Sequence, residues 1–252
     1  MRTRASCLLL TGLVLLLSGC ATTRQVAESG FRPPNGDYRL IVIQPDISVG
    51  ILTAGGGIEP QSQWTEQARE NVLKALTAQQ SARGGKTKIA ATREEAGADP
   101  ALISELIELH KAVGASIQMH KYGVLLLPTK KDRFDWTLGE PAVAFGDAAN
   151  YDYALFLHAE DSFSSGGRVA LQVAGFLTCF VGVCVAPPGG QQVAYASLVD
   201  LKTGRVVWFN VLRSGIGDIR TADGAQKMVS SLLDQMKPGT PSKAPQTAAR
   251  RT

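Results

Sequence analysis

Cysteine, histidine and charge are all scarce in this sequence. Its 252 residues hold 4 cysteines and 3 histidines, and only 19% are charged. Four cysteines are too few for a scaffold held by a disulfide framework. A hydrophobic content of 44% rules out a disordered polymer. The composition is equally unlike a collagen fibre or a polytopic membrane protein. Also missing are Ser-x-x-Lys, Gly-x-Ser-x-Gly, His-Glu-x-x-His, P-loop and dinucleotide fingerprints, so no motif points to catalysis.

The N-terminus carries the strongest signal present. Arg2 and Arg4 precede an apolar run, residues 7–17, which ends in Leu17-Ser18-Gly19-Cys20. A basic head, a short apolar stretch and small residues before a cut form a secretory signal, too short for a stable span. The ending resembles the bacterial lipobox. That resemblance implies cleavage after Gly19 and acylation of Cys20, and each buried CH₂ of the acyl chains adds about 0.8 kcal/mol to anchoring. Ala21 rather than Asp follows the cysteine, which by the same resemblance implies the periplasmic face of the outer membrane. Residues 1–19 are thus expected to be a signal peptide and residues 20–36 a polar tether. Residues 37–236 are expected to form one periplasmic domain, and residues 237–252 a disordered basic tail. The excess of basic residues sits in these ends, and residues 37–236 are slightly acidic. A nucleic-acid footprint is therefore not expected.

Within the body, residues 39–45 form a β-branched run stopped by Pro45 and read as a strand, with residues 47–52 extending the sheet. A helix is expected over 63–81, ended by Gly84-Gly85, then a strand over 86–91. Asp99 and Pro100 mark a helix start, followed by an apolar face running from Leu102 to Ile117. Residues 129–137 read as a polar loop, 141–149 as a short helix and 151–158 as a strand. Two strands, 193–201 and 205–212, share a tight turn, and a last helix opens near Thr221 or Asp223. The fold class expected is α/β (or α+β): a single mixed sheet flanked by helices, with a late β-hairpin followed by a C-terminal helix.

Tyr151-Asp152-Tyr153-Ala154-Leu155-Phe156 and the hairpin sequence from Leu198 through Thr203-Gly204 to Trp208 resemble a known group. They are similar to periplasmic lipoproteins with the TolB N-terminal-like fold, the group of CsgG, LpoB and PelC. The resemblance implies that fold and an envelope location. Members serve as pores, as activators of cell-wall synthases or in polysaccharide export, so it chooses no function.

Residues 169–187 are apolar apart from Gln172 and Thr178. A membrane-spanning helix would separate segments that belong to one sheet. A porin-type strand pair should alternate, yet Phe176, Leu177, Phe180 and Val181 fall on both parities. A buried helix, a buried hairpin or an apolar flap at a partner surface fits the pattern better than either of these. Cys179 and Cys184 bear on the choice. Five residues apart on a helix they sit roughly 8 Å from each other, whereas a hairpin turning at Val181-Gly182 brings them together as a disulfide. With no His nearby their spacing is poor for zinc, and no metal or other cofactor is expected.

His110 lies on an apolar helix face and reads as a core residue. His158, Glu160 and Asp161 form the one cluster suited to acid–base work, with an exposed strand terminus as the plainer reading. The expectation is a non-enzymatic lipoprotein that binds envelope proteins or itself, with the membrane reached through Cys20. Phe134, Trp136, Phe176 and Phe180 are the expected contact residues. The alternatives are an envelope hydrolase or sugar-binding enzyme using His158, Glu160 and Asp161, and an oligomeric secretion pore.

Overall fold

The computed structural model describes residues 22–34, 38–81, 86–130, 133–183, 185–214, 217–233 and 236. One mixed sheet of eight strands organises them. The strands are β1 (Thr22–Ala27), β2 (Arg39–Val42), β3 (Asp46–Leu52), β4 (Ile58–Pro60), β5 (Lys86–Ile89), β6 (Tyr153–Ser164), β7 (Gln192–Asp200) and β8 (Arg205–Ser214). The helices are α1 (Ser62–Ser81), α2 (Pro100–Ile117), α3 (Glu140–Ala149), α4 (Gly166–Leu177) and α5 (Ala222–Leu233).

The spatial order is β1-β8-β7-β6-β2-β5. Strand β6 is long enough to pair with β2 along its first half and with β3 along its second, both in parallel. The break between β2 and β3 falls at residues 43–45, where Pro45 has no N–H to donate. Strands β6, β7 and β8 form an antiparallel meander, and the turn between β7 and β8 places Gly204 at φ 68°. A left-handed φ suits glycine best.

Both faces are covered. Helices α1 and α5 pack Ala68, Val72, Leu76, Met228, Val229 and Leu232 onto Val42, Leu155, Leu157, Ala196 and Trp208. Helices α2 and α3 pack Ile103, Leu106, Ile117 and Phe145 onto Ile41, Phe156, Tyr195 and Phe209. The start of α2 forms where its sequence calls for it: the Asp99 side chain accepts from the Ala101 N–H at 2.9 Å, and Pro100 opens the helix. Gly114 lets α2 sit close, because a Cβ there would collide with the Tyr195 ring. This is the expected architecture: a mixed α/β sheet flanked by helices, with a late hairpin and then a final helix.

Three expectations are corrected. Residues 22–27 are no tether: they form β1, paired antiparallel with β8 from Thr22↔Arg213 to Ala27↔Trp208. Thr23, Gln25 and the other polar residues there lack the apolar pattern of a core strand, but an edge strand needs only backbone partners. Strand β6 extends to Ser164, so His158 sits mid-strand and not at a terminus. Phe134 is buried, with 8% exposure, against the α2–α3 side of the core. The signal over 1–19, the lipidated Cys20 and the tail over 237–252 lie outside the described residues.

Candidate functional site

Side chains alternate along β6, so His158 and Glu160 share the face under α2 while Asp161 points to the face under α1 and α5. The sheet therefore divides the expected acid–base trio. His158 is joined instead by a residue the sequence did not single out. Parallel pairing sets Asp46 on β3 opposite His158. His158 Nδ1 lies 2.7 Å from Asp46 Oδ2, and its Nε2 lies 3.3 Å from Glu160 Oε1. Lys111 of α2 reaches within 4.0 Å of Asp46, and the Tyr195 ring centroid is 4.8 Å from that of His158.

The electrostatics follow from this geometry. Burial pulls the His158 pKa down, but hydrogen bonds to Asp46 and Glu160 outweigh burial and leave it above the usual value. Both carboxylates are held below their usual range, first by the hydrogen bond to His158. Each ring nitrogen faces a carboxylate, so both are engaged within the protein and neither is turned toward a substrate. His110 is sealed deeper. Its Nε2 lies 2.9 Å from Ser197 Oγ, its ring stacks on Phe156, and burial pushes its pKa down to about 3. That is a neutral core histidine with its partner satisfied.

On the other face, Asp161 accepts hydrogen bonds from the Ile219 N–H at 3.2 Å and from Gln192 Nε2 at 3.3 Å. Burial raises its pKa to about 6, the two hydrogen bonds opposing the rise. It lines a shallow cavity of about 180 Å³ with Phe163, Gly190, Gln192, Ser214 and Gly217. Beside it, Arg220 forms an ion pair with Asp218 at 2.8 Å and lies over the rings of Trp64 and Phe163. Among the described residues, no group of three or more His, Cys, Asp or Glu side chains is placed to hold a metal ion.

Residues 169–187 take a form that sequence pattern alone left open. Helix α4 leaves the end of β6, capped by the Ser165 side chain. A turn of 3₁₀ helix, Thr178–Val181, carries it to Gly182 at φ 88°, and residues 185–188 come back alongside the helix. The two arms touch at Gly175, where a Cβ would collide with the Val185 carbonyl. Arg168 fastens the base: its guanidinium donates to the Pro188 carbonyl at 3.0 and 2.9 Å and to the Ala54 carbonyl at 3.3 Å. The result is a finger that joins neither hydrophobic core. Phe176 is 61% exposed and Phe180 80%, and Val169, Leu171, Val173, Leu177, Val183 and Val185 are exposed as well. Full burial of such a side chain is worth about 1.5–3 kcal/mol, so covering several of them is a large driving force.

The other two expected contact residues differ. Phe134 belongs to the core, and Trp136 is half-buried between Lys130, whose Nζ is 4.6 Å from the ring centroid, and the stacked ring of His120. The apolar run 122–127, which ends at Pro128, forms a separate exposed patch after α2: Val124 is 94% exposed, with Leu125 and Leu126 beside it. Cys179 is disulfide-bonded, and Cys184 lies outside the described residues. Among the described residues no helix is long and apolar enough to cross a membrane.

No family model matches the chain, and no curated protein matches it. Among solved structures it is similar to the PelC dodecamer from Paraburkholderia phytofirmans, at 13% identity and a TM-score of 0.35, over 84% of this chain and 96% of that one. A single-substitution variant of the same dodecamer gives 14% and 0.37, over 85% and 96%. The C-terminal domain of LpoB from Salmonella enterica gives 13% and 0.27, over 80% and 90%. Likenesses this distant carry no argument about what this chain does.

Proposed function

We propose that the chain is an outer-membrane lipoprotein, anchored through Cys20 after loss of residues 1–19. Its periplasmic domain acts by contact and not by turnover, as an accessory to envelope assembly, export or cell-wall machinery. The observation that supports this reading best is the uncovered finger. A domain with two well-covered sheet faces leaves Phe176 and Phe180 in water on a projection that neither core uses. Exposed apolar surface of that kind marks an interaction site. The engagement of both His158 nitrogens supports the non-enzymatic side of the reading. In the same reading the oxidising periplasm closes Cys179 onto Cys184 across the Gly182 turn. The Val124–Leu125–Leu126 patch is then the surface open to an envelope protein or to a second copy.

Labelling with radioactive palmitate tests the anchor. Mature chain should carry label, and Cys20→Ser should abolish the label and release the protein from the membrane fraction. An unlabelled chain whose fractionation ignores that substitution overturns the reading. Loss of a defined hydrolytic activity in a folded His158→Gln variant would install the enzyme in its place.

A further inference from the structure

We propose that the finger formed by α4, residues 178–183 and residues 185–188 lies in the surface of the bilayer that holds Cys20, so that the domain is fastened to the membrane at two points. This rests on the anchoring proposed above.

Thr22 pairs with Arg213, Arg213 with Val193, and Val193 with Glu160, which is one row across β1, β8, β7 and β6. The start of β1 and the end of β6 therefore lie at the same end of the sheet. Strands are about 4.8 Å apart, so three steps put Thr22 roughly 14 Å from Glu160, and with the four residues on to Ser164 the end of β6 is roughly 20 Å from the start of β1. Cys20 is two residues before Thr22, a reach of at most about 7 Å. Helix α4 starts at Gly166, two residues beyond the end of β6, and its 12 residues extend about 18 Å. A bilayer that holds the acyl chains at this end is within reach of the finger without any unfolding.

The chemistry of the finger fits a lipid surface better than a protein. No charged residue occurs between Arg168 and Asp200, and Arg168 itself is buried with its donors spent on Pro188 and Ala54. A protein interface of this size ordinarily carries a polar rim and directional hydrogen bonds. The exposed side of the finger offers Val, Leu and Phe, which suit an interfacial environment that asks only for apolar area. Phe180, near the reversal at Gly182, is the most exposed large apolar side chain among the described residues of the finger.

Full-length acylated protein carrying Phe180→Trp, reconstituted into phosphatidylethanolamine–phosphatidylglycerol vesicles with and without acyl-chain bromines, tests this. The signal is read as the difference from the parent chain, which shares Trp64, Trp136 and Trp208. Emission from the new indole should shift to the blue on vesicles and fall at least about two-fold with brominated lipid. Thr203→Trp, in the β7–β8 turn at the opposite end of the sheet, should show neither change. A chain that floats with the vesicles while its position-180 indole stays unquenched overturns the proposal, leaves the anchor intact and assigns the finger to a protein partner. A chain that does not float overturns the anchor and this inference together.

Discussion

His158 and Asp46 stand opposite each other on adjacent parallel strands, with Nδ1 2.7 Å from Oδ2, although 112 residues separate them. The pair ties β3 to β6 at the point where β2 has ended and Pro45 has interrupted the ladder. A charge-assisted bond there replaces backbone bonds the proline cannot make.

Replacing His158 with Gln should therefore destabilise the domain by about 2 kcal/mol in urea unfolding at pH 6. The pH dependence has a definite sign. The folded pKa of His158 is raised, so its contribution is complete below the unfolded value near 6.5 and lost as pH rises through the folded value. The lowered Asp46 and Glu160 contribute above their unfolded values near 4 and lose that contribution as pH falls. His158→Gln should flatten the alkaline side of the stability curve. Unchanged alkaline behaviour would deny the ion pair its role.

His110 should act in the opposite direction. Its folded pKa is pushed down to about 3, so its neutral form supports folding above the unfolded value of 6.5 and loses ground as pH falls toward 3. Between pH 7 and pH 5 this takes about 2 kcal/mol from the native protein. Denaturant unfolding at those two pH values should show a smaller drop for His110→Gln than for the native chain.

Asp161 is a carboxyl whose folded pKa rises to about 6 from 3.8. The native state takes up this proton before the unfolded chain does, so stability grows as pH falls from 6 toward 4. Above pH 6 the buried charge costs about 3 kcal/mol. Asp161→Asn keeps an acceptor for the Ile219 N–H and removes the charge. It should be more stable than the parent at pH 7, with the advantage gone by pH 4, as read from midpoints at both.

Gly114→Ala should cost about 1–3 kcal/mol, because the added methyl meets the Tyr195 ring and α2 must lift. The melting temperature should fall with no change in the pH profile. An unchanged melting temperature would mean that α2 is not seated tightly on Tyr195.

What could be read beforehand was local. The Asp99-Pro100 start of α2 and the β7–β8 turn depend on neighbours in sequence, and both formed where their residues indicated. The Asp46–His158 pair was not legible, because it follows from the register of two strands far apart in the chain. The run from Val169 to Val185 shows why composition stops short. Apolar residues announce that something will cover them but not whether the covering is internal, and here the helix lies outside both cores. Phe134 is the converse, a core side chain supplied by a polar loop. Strand β1 escaped notice because an outermost strand of polar residues looks like any solvated segment.

The pairing of β1 with β8 also bears on biogenesis. Thr22 and Arg213 are 191 residues apart, so during synthesis the first strand waits for the last of the eight before it can add to the sheet. Throughout that interval residues 22–27 have no strand to pair with. Closure of that edge is therefore a late event, and the sheet completes itself only when the chain's far end has arrived.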